Sequence, residues 1–281
     1  MIKYIYMKKH SLKELKEIAN LIRQDIINML YHAKSGHPGG SLGMTDIFTV
    51  LYFHTLKHNP QKPNWKKRDR LILSNGHICP VLYSSLARSK YFPLIKLKSL
   101  RKINSDLQGH PHYDVKLGIE NNGGPLGQGI SQAVGISLAS QIDNIKNTIY
   151  CITSDGEHNE GQTWEAIMLA AKYKLDNLIN IVDYNNIQID GYTKNIMPLK
   201  SLAAKYKSFN WSVLEIDGHN IKEIIKILKK AKKIKKKPTV IIAHTIPGKC
   251  VEFMENEYIW HGQAPNKEER EKALEQLINC Y

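Results

Sequence analysis

Apolar residues recur at helical spacing close to the start of the chain, where Leu15, Ile18, Ala19, Ile22, Ile26, Met29 and Leu30 make one stripe. Ser11 and Glu14 stand in front of it as a capping box, so the pattern predicts a first helix from about Leu12 to Tyr31. It should end in the loop Ser35-Gly36-His37-Pro38-Gly39-Gly40-Ser41, where proline and glycine forbid a continued helix and let the backbone approach another group closely. Asp46 to His58 reads as a second helix.

The period then changes. Arg70-Leu71-Ile72-Leu73-Ser74 reads as a short strand that halts at Asn75-Gly76-His77, and a polar loop with Gly109-His110-Pro111-His112 follows. After Asn121-Asn122-Gly123-Gly124-Pro125-Leu126-Gly127-Gln128-Gly129 comes a helix on which Gly127, Ser131, Gly135 and Ala139 fall on one face. That stripe of small residues suits either a subunit contact or tight internal packing. Ile149 to Thr153, Gln162 to Lys174 and Leu178 to Val182 spell strand, helix and strand, a β-α-β unit whose apolar strands are buried on both faces. Thr239 to Ala243 is a further strand. Alternation of this kind predicts an α/β fold with a doubly wound, mainly parallel sheet, helices on both faces, and ligands beyond the carboxyl ends of the strands.

Composition changes this picture little. The 281 residues with 42% hydrophobic content suffice for one large domain, and Met1 to Tyr6, followed by Lys8 and Lys9, is no secretory signal or membrane span. Cys79, Cys151, Cys250 and Cys280 lie far apart with no CxxC pair, which excludes a zinc ribbon or a redox motif and points to the reducing cytoplasm. Forty Lys and Arg against 26 Asp and Glu leave a net charge of +14. Much of the excess sits in Lys222 to Lys237, where Ile221, Ile224, Ile225, Leu228 and Ala231 keep helical spacing, so a solvated helix face explains it better than a nucleic-acid surface. The same excess can attract phosphorylated sugars.

The chemistry concentrates in two stretches that directly follow consecutive strands, Ser154-Asp155-Gly156-Glu157-His158-Asn159-Glu160-Gly161 and Asp183-Tyr184-Asn185-Asn186-Ile187. Asp155 and Asn185 are thirty residues apart, one crossover, which sets them side by side at one sheet edge. A carboxylate, an amide oxygen and a backbone carbonyl are hard ligands suited to Mg²⁺. Gly156 leaves room for a diphosphate, and the following helix can aim its N-terminal amides at the anion. Asp-Gly and Asn-Asn alone are ordinary turn residues; the spacing is what gives the pair its force. No EF-hand, Walker loop or dinucleotide fingerprint fits. His54 and His58 stand four apart on a helix without an HExxH motif and read as surface residues, and Lys249 after Gly248 is a candidate phosphate contact.

These stretches resemble the thiamine diphosphate motif in its transketolase form. Ser35-Gly36-His37-Pro38-Gly39, Ser74-Asn75-Gly76-His77, Gly109-His110-Pro111, Gly124-Pro125-Leu126-Gly127-Gln128-Gly129 and Trp260-His261-Gly262 match the same family in order, across nearly the whole chain. The resemblance implies the thiamine diphosphate-binding fold for residues 1–281, with Mg²⁺ held by Asp155, Asn185 and the carbonyl of Ile187. It places Gly124 and Leu126 at the aminopyrimidine, His261, Gly156 and Ser154 at the diphosphate, and Ile189 in the cofactor-binding set. Ser154 replaces the motif's usual first glycine. His37, His77 and His110 would line the substrate channel, and Glu160 would communicate between active sites.

By the same resemblance, the chain is expected to carry a two-carbon ketol unit from a ketose phosphate to an aldose phosphate. A glutamate that activates the pyrimidine belongs to a separate domain in this family. A C-terminal transketolase subunit is therefore expected to supply it in an α2β2 assembly, and no activity is expected from this chain alone. A deoxyxylulose phosphate synthase or a dehydrogenase E1 component would share the cofactor motif, but Ser-Gly-His-Pro-Gly and Gly-Pro-Leu-Gly-Gln-Gly favour transketolase. A basic nucleic-acid-binding protein would leave the Asp155/Asn185 pair without purpose.

Overall fold

The computed structural model describes residues 10–281, so the stretch from Met1 to Lys9 lies outside the described residues. Helix α1 (Leu12–Ala33) carries the capping box of Ser11 and Glu14 and stops at Lys34, whose backbone is left-handed. The glycine-proline loop beyond it is shorter than expected, because Pro38–Gly43 forms a short helix, α2. Proline at a first helical turn forfeits no hydrogen bond, so Pro38 starts this helix rather than preventing it. Helix α3 (Thr45–Val50) runs into a wide turn over Leu51–Thr55 and ends three residues before His58. His58 is buried, not at the surface; its ring meets the Tyr52 carbonyl at 2.9 Å and the Tyr91 hydroxyl at 3.1 Å.

Strand β1 (Arg70–Leu73) and α4 (Cys79–Arg88) follow, then α5 (Gln128–Ile142), β2 (Ile149–Ser154), α6 (Gly161–Lys172) and β3 (Leu178–Tyr184). A small hairpin of β4 (Ile187–Gln188) and β5 (Gly191–Tyr192) leads to α7 (Thr193–Ile196) and α8 (Leu202–Ser208). The chain continues through β6 (Ser212–Asp217), α9 (Ile221–Ala231), β7 (Thr239–His244) and α10 (Lys267–Ile278). The five long strands are ordered β1-β2-β3-β7-β6, every neighbouring pair parallel.

Alternate strand residues feed two separate cores, which makes the sheet doubly wound. Tyr150, Ile152, Ile179, Ile181 and Ile241 pack with α1, α3, α4 and α9 on one face. Ile149, Cys151, Leu178, Val182 and Ile242 pack with α5, α6 and α8 on the other. The lysine-rich helix buries Ile221, Ile224, Leu228 and Ala231 and turns its lysines outward. Of the small-residue stripe, Ser131, Gly135 and Ala139 on α5 are exposed and a side chain built at Gly135 would touch nothing, whereas Gly127, just before the helix, is buried closely against Glu160. Among the described residues no helix is long and apolar enough to cross a membrane.

The chain segment after β7 returns to the sheet edge through a buried polar relay. Arg23 on α1 donates to Asp46 at 2.7 Å, and the Asp46 carboxylate is held at about 2 by that guanidinium against the opposing pull of burial. His219 Nδ1 meets Asp46 at 3.0 Å while its Nε2 accepts the Ile246 amide at 2.8 Å, so the loop that starts after β7 is pinned to α3. Tyr281 closes the group against Arg23 at 2.6 Å. Nearby, Cys250 and Cys280 are joined as a disulfide, a link their spacing does not announce, while Cys79 and Cys151 are free and buried. Replacing Arg23 by methionine leaves Asp46 buried without its cation. The expected loss is about 3–5 kcal/mol in urea unfolding; a loss below about 1 kcal/mol would show that the relay does not anchor this edge.

Candidate functional site

The carboxyl ends of β1, β2, β3 and β7 converge on one corner. Ser154 lies opposite Asp183 in the β2–β3 register, and the Asp155 amide donates to the Asp183 carbonyl at 3.1 Å. The Asp155 carboxylate is buried; one oxygen accepts the Gly156 amide at 2.8 Å, the other the Asn186 amide at 2.8 Å and the Thr193 hydroxyl at 3.4 Å. It therefore rests against the very turn that carries Asn185 and Ile187. Asn186 makes that turn with a left-handed backbone, φ 62°, which asparagine tolerates well. The Asn185 amide is fixed at both ends, its oxygen accepting from Ile187 at 3.0 Å and its nitrogen donating to Asp183 at 2.9 Å.

Asp183 is not singled out by any spacing in the sequence, yet it is fully buried, accepts a hydrogen bond from the Thr245 hydroxyl, and sets which end of the Asn185 amide faces outward. Burial pushes the Asp155 carboxyl up to about 6 and the Asp183 carboxyl up to about 7, the latter also through the charge of Asp155. No lysine or arginine pairs with either carboxylate among the described residues. Nor do three His, Cys, Asp or Glu side chains gather here as a metal cluster among them. An ion at this corner must therefore take amide, carbonyl and ligand-phosphate oxygens beside the carboxylate, and that donor set fits Mg²⁺.

A cradle lies next to it. A side chain at Gly156 would fall 2.9 Å from Gln188 Nε2, a buried nitrogen that has no hydrogen-bond partner. The turn Gly156–Asn159 is 3-10, and α6 begins at Gly161, one residue before the start expected from sequence. The Ser154 hydroxyl accepts the Glu157 amide at 3.3 Å, which engages it within this turn. Glu157 is a second residue that no motif flags. Its buried carboxylate accepts from the Ser74 hydroxyl, from the Gly127 amide at 2.6 Å and from the Ser154 amide at 3.2 Å, tying together the end of β1, the Gly-Pro-Leu-Gly-Gln-Gly loop and the end of β2. Within that loop Gly124 has φ +134°, and its backbone passes against the His110 ring. The Leu126 carbonyl accepts from Gln162 at 3.2 Å.

Three histidines form a triangle. Ring centres of His37 and His77 are 5.1 Å apart, those of His77 and His261 5.1 Å, and those of His37 and His261 5.6 Å. Burial, with the mutual repulsion of the rings, lowers His37 to about 4 and His77 well below its ordinary value; burial alone takes His261 to about 4. All three are neutral imidazoles at neutral pH. His37 Nδ1 and both amide atoms of the fully buried Asn75 are buried without partners, so polar groups stand ready for a ligand. His110 is exposed, at the outer end of the row. Ile189 and Glu160 are exposed as well, Ile189 at the tip of the β4–β5 hairpin and Glu160 beside Gly127. Lys249 is engaged with Glu255 at 3.1 Å.

A family model described as transketolase, thiamine diphosphate binding domain, matches residues 14–278. The chain belongs to the transketolase family. It is 42% identical over 264 residues to the 6-deoxy-6-sulfo-D-fructose transketolase subunit SqwG of Clostridium sp. (strain MSTE9), covering 94% of this chain and 96% of that one. An apulose-4-phosphate transketolase subunit of Phocaeicola vulgatus is 38% identical over 255 residues, with 91% and 90% covered. The crystal structure of transketolase from Campylobacter jejuni superposes with a TM-score of 0.90 at 39% identity, covering 95% of this chain but 43% of that one. The chain thus spans nearly the full length of both transketolase subunits but less than half of the longer transketolase.

Glu157 gives the transketolase corner a measurable pH signature. Its carboxyl is pushed up from 4.5 to about 7 by burial, so between these values the unfolded chain releases a proton that the folded chain keeps. Stability contributed at low pH is therefore lost as pH rises through the folded value. Glu157→Gln cannot lose that proton. Relative to wild type, the variant should gain on the order of 2–3 kcal/mol between pH 5 and pH 8, read by urea unfolding of the cofactor-free chain. Parallel pH profiles would show that Glu157 is not titrating in the fold.

Proposed function

We propose that this chain is the thiamine diphosphate-binding subunit of a two-subunit transketolase, moving a two-carbon ketol unit from a ketose phosphate to an aldose phosphate. One observation carries the reading. Asp155 is buried against the Asn185-Asn186-Ile187 turn, its Oδ2 on the Asn186 amide at 2.8 Å, with no lysine or arginine to balance it among the described residues. Asp155, Asn185 and the Ile187 carbonyl would hold Mg²⁺, which would supply the missing charge beside a diphosphate. Asp183 orients the Asn185 amide toward the ion, and Gly156 keeps the approach clear.

When bound, thiamine diphosphate supplies the electron sink on which carbon–carbon cleavage depends. The chain's own part is to bind, orient and move protons. Gly124 and Leu126 present backbone groups to the aminopyrimidine. His37, His77 and His261, neutral at working pH, can take a proton from a sugar hydroxyl or return one, which a permanently charged imidazole could not do in both directions. His110 stands where a substrate enters, and Ile189 and Glu160 face outward where a second subunit can meet them. That partner supplies the pyrimidine-activating glutamate, in an α2β2 assembly with active sites at its interfaces. The naming of the two full-length relatives as transketolase subunits supports this division. The proposed substrates are sugar phosphates of the pentose phosphate pathway. The proposed compartment is the cytoplasm, whose reducing poise would open Cys250–Cys280.

Calorimetric titration of thiamine diphosphate into the chain, with its partner present, tests the site. Wild type should bind in a Mg²⁺-dependent manner and Asp155→Ala should lose that dependence; unchanged, metal-independent binding by the variant would remove the assignment. Asp183→Asn should bind about 10–100-fold more weakly while retaining the metal requirement. Turnover of xylulose 5-phosphate by the chain alone at an ordinary enzymatic rate of about 1 s⁻¹ or more would refute the need for a partner.

A further inference from the structure

The loop after β7 carries His261 into the histidine triangle and is tied down on two sides. Toward the site, the Gly248 amide donates to the Gly39 carbonyl of α2 at 2.9 Å, and the Asn256 amide closes the loop on the Pro247 carbonyl at 3.0 Å. The Trp260 carbonyl then covers Gly39, where an added side chain would lie 3.0 Å from it, two residues beyond His37. The other ties run to the C-terminus. The Glu252 amide donates to Gln276 on α10 at 2.9 Å, and Cys250 is bonded to Cys280, with their Cα atoms 5.5 Å apart.

Cys250 holds a conformation that needs support. Its backbone is left-handed, φ 72°, which is costly for a residue with a side chain and persists only where the surroundings impose it. Its amide donates to Glu255 at 2.9 Å, and its sulfur is fixed by Cys280. Beyond the bond the chain has already left α10, which ends at Ile278. Tyr281, the residue after Cys280, sets its hydroxyl between Arg23 and Asp46, the pair that also holds His219 and through it the Ile246 amide. Terminal residues fray unless something anchors them. Here the disulfide is the anchor, so one covalent bond holds both the Cys250 turn and the last member of the buried relay.

The bond is also accessible. Both cysteines are half-buried, and they share the wall of a cleft of about 440 Å³ with Lys249, Glu252, Glu255 and Gln276, which gives a small thiol a way in. Cys79 and Cys151 are buried elsewhere and do not compete for either sulfur.

We propose that Cys250–Cys280 is a thiol–disulfide latch on the loop that carries His261. Opening takes one small dithiol. Its first thiolate attacks one sulfur of the bond, its second displaces the mixed disulfide, and Cys250 and Cys280 are released as thiols while the reagent becomes a cyclic disulfide. Closing reverses these steps with an oxidised dithiol, which takes up the two electrons and two protons. In a reducing compartment the latch rests open and residues 246–262 are loosened; an oxidant closes it and fixes His261 against His37 and His77. The latch acts on the order of this loop and does not require the ketol-transfer reading.

The test uses the full chain without cofactor, equilibrated in reduced or oxidised dithiothreitol and followed by mass spectrometry of alkylated thiols and by amide hydrogen exchange. After denaturation the oxidised chain should show two alkylatable thiols, Cys79 and Cys151, and the reduced chain four. Reduction should speed exchange across residues 246–262 at least about tenfold while β2 and β3 keep their rates. Return to oxidised dithiothreitol should restore slow exchange, and Cys280→Ser should exchange fast in either buffer. Four free thiols in the oxidised buffer, or equal exchange of the loop in both buffers, overturns the latch. So does a change confined to residues 279–281, or one in which β2 and β3 speed up as much as the loop.

Discussion

Ser154 stands opposite Asp183 because six consecutive residues of β2 pair with β3 in parallel, and nearly every feature of the candidate site descends from that register. It sets the Asp155 amide on the Asp183 carbonyl, lays the Asp155 carboxylate on the Asn185–Ile187 turn, and brings the end of β7, with Thr245, onto Asp183. A slip of one residue would turn each of these side chains to the opposite face of the sheet. The alternating apolar residues of β2 and β3 prevent that slip, since each face has its own core to fill.

Much of this is legible in the sequence where a period or a spacing carries it. The capping box and stripe of α1, the β-α-β unit and the outward lysines of α9 all follow from apolar periodicity. The thirty-residue interval between Asp155 and Asn185 locates the corner, and four of the five ordered motifs carry the histidines. What escapes is set by tertiary contact. Strand β6 is an edge strand with a single buried residue, so it has no clean alternation to read. Glu157 looks like an ordinary turn acid until Ser74 and Gly127, distant in sequence, close around it. Asp183 ends a strand like any other polar residue, and Cys250 meets Cys280 only because α10 folds back.

Polar burial follows two different solutions in this chain. Away from the site, charge is matched on the spot, as Arg23, Asp46, His219 and Tyr281 do for the loop after β7. At the site it is left unmatched. Asp155, Glu157 and Asp183 lack cations among the described residues, His37, His77 and His261 are kept neutral, and Asn75 and Gln188 hold unpartnered amide atoms. Such local conflicts concentrate where a molecule other than the protein completes the arrangement.

With uncompensated carboxylates at the end of β2 and β3, the proposed cofactor would be a participant in folding. An ion and diphosphate that bind only the native corner add stability as the logarithm of their concentration over the dissociation constant, about 2.7 kcal/mol at a hundredfold excess. For a chain of ordinary marginal stability that increment changes the unfolded fraction roughly a hundredfold. Under the proposed function, the cellular amount of this polypeptide would then be coupled to vitamin B1 supply, through proteolysis of empty chains, before any question of catalytic rate arises.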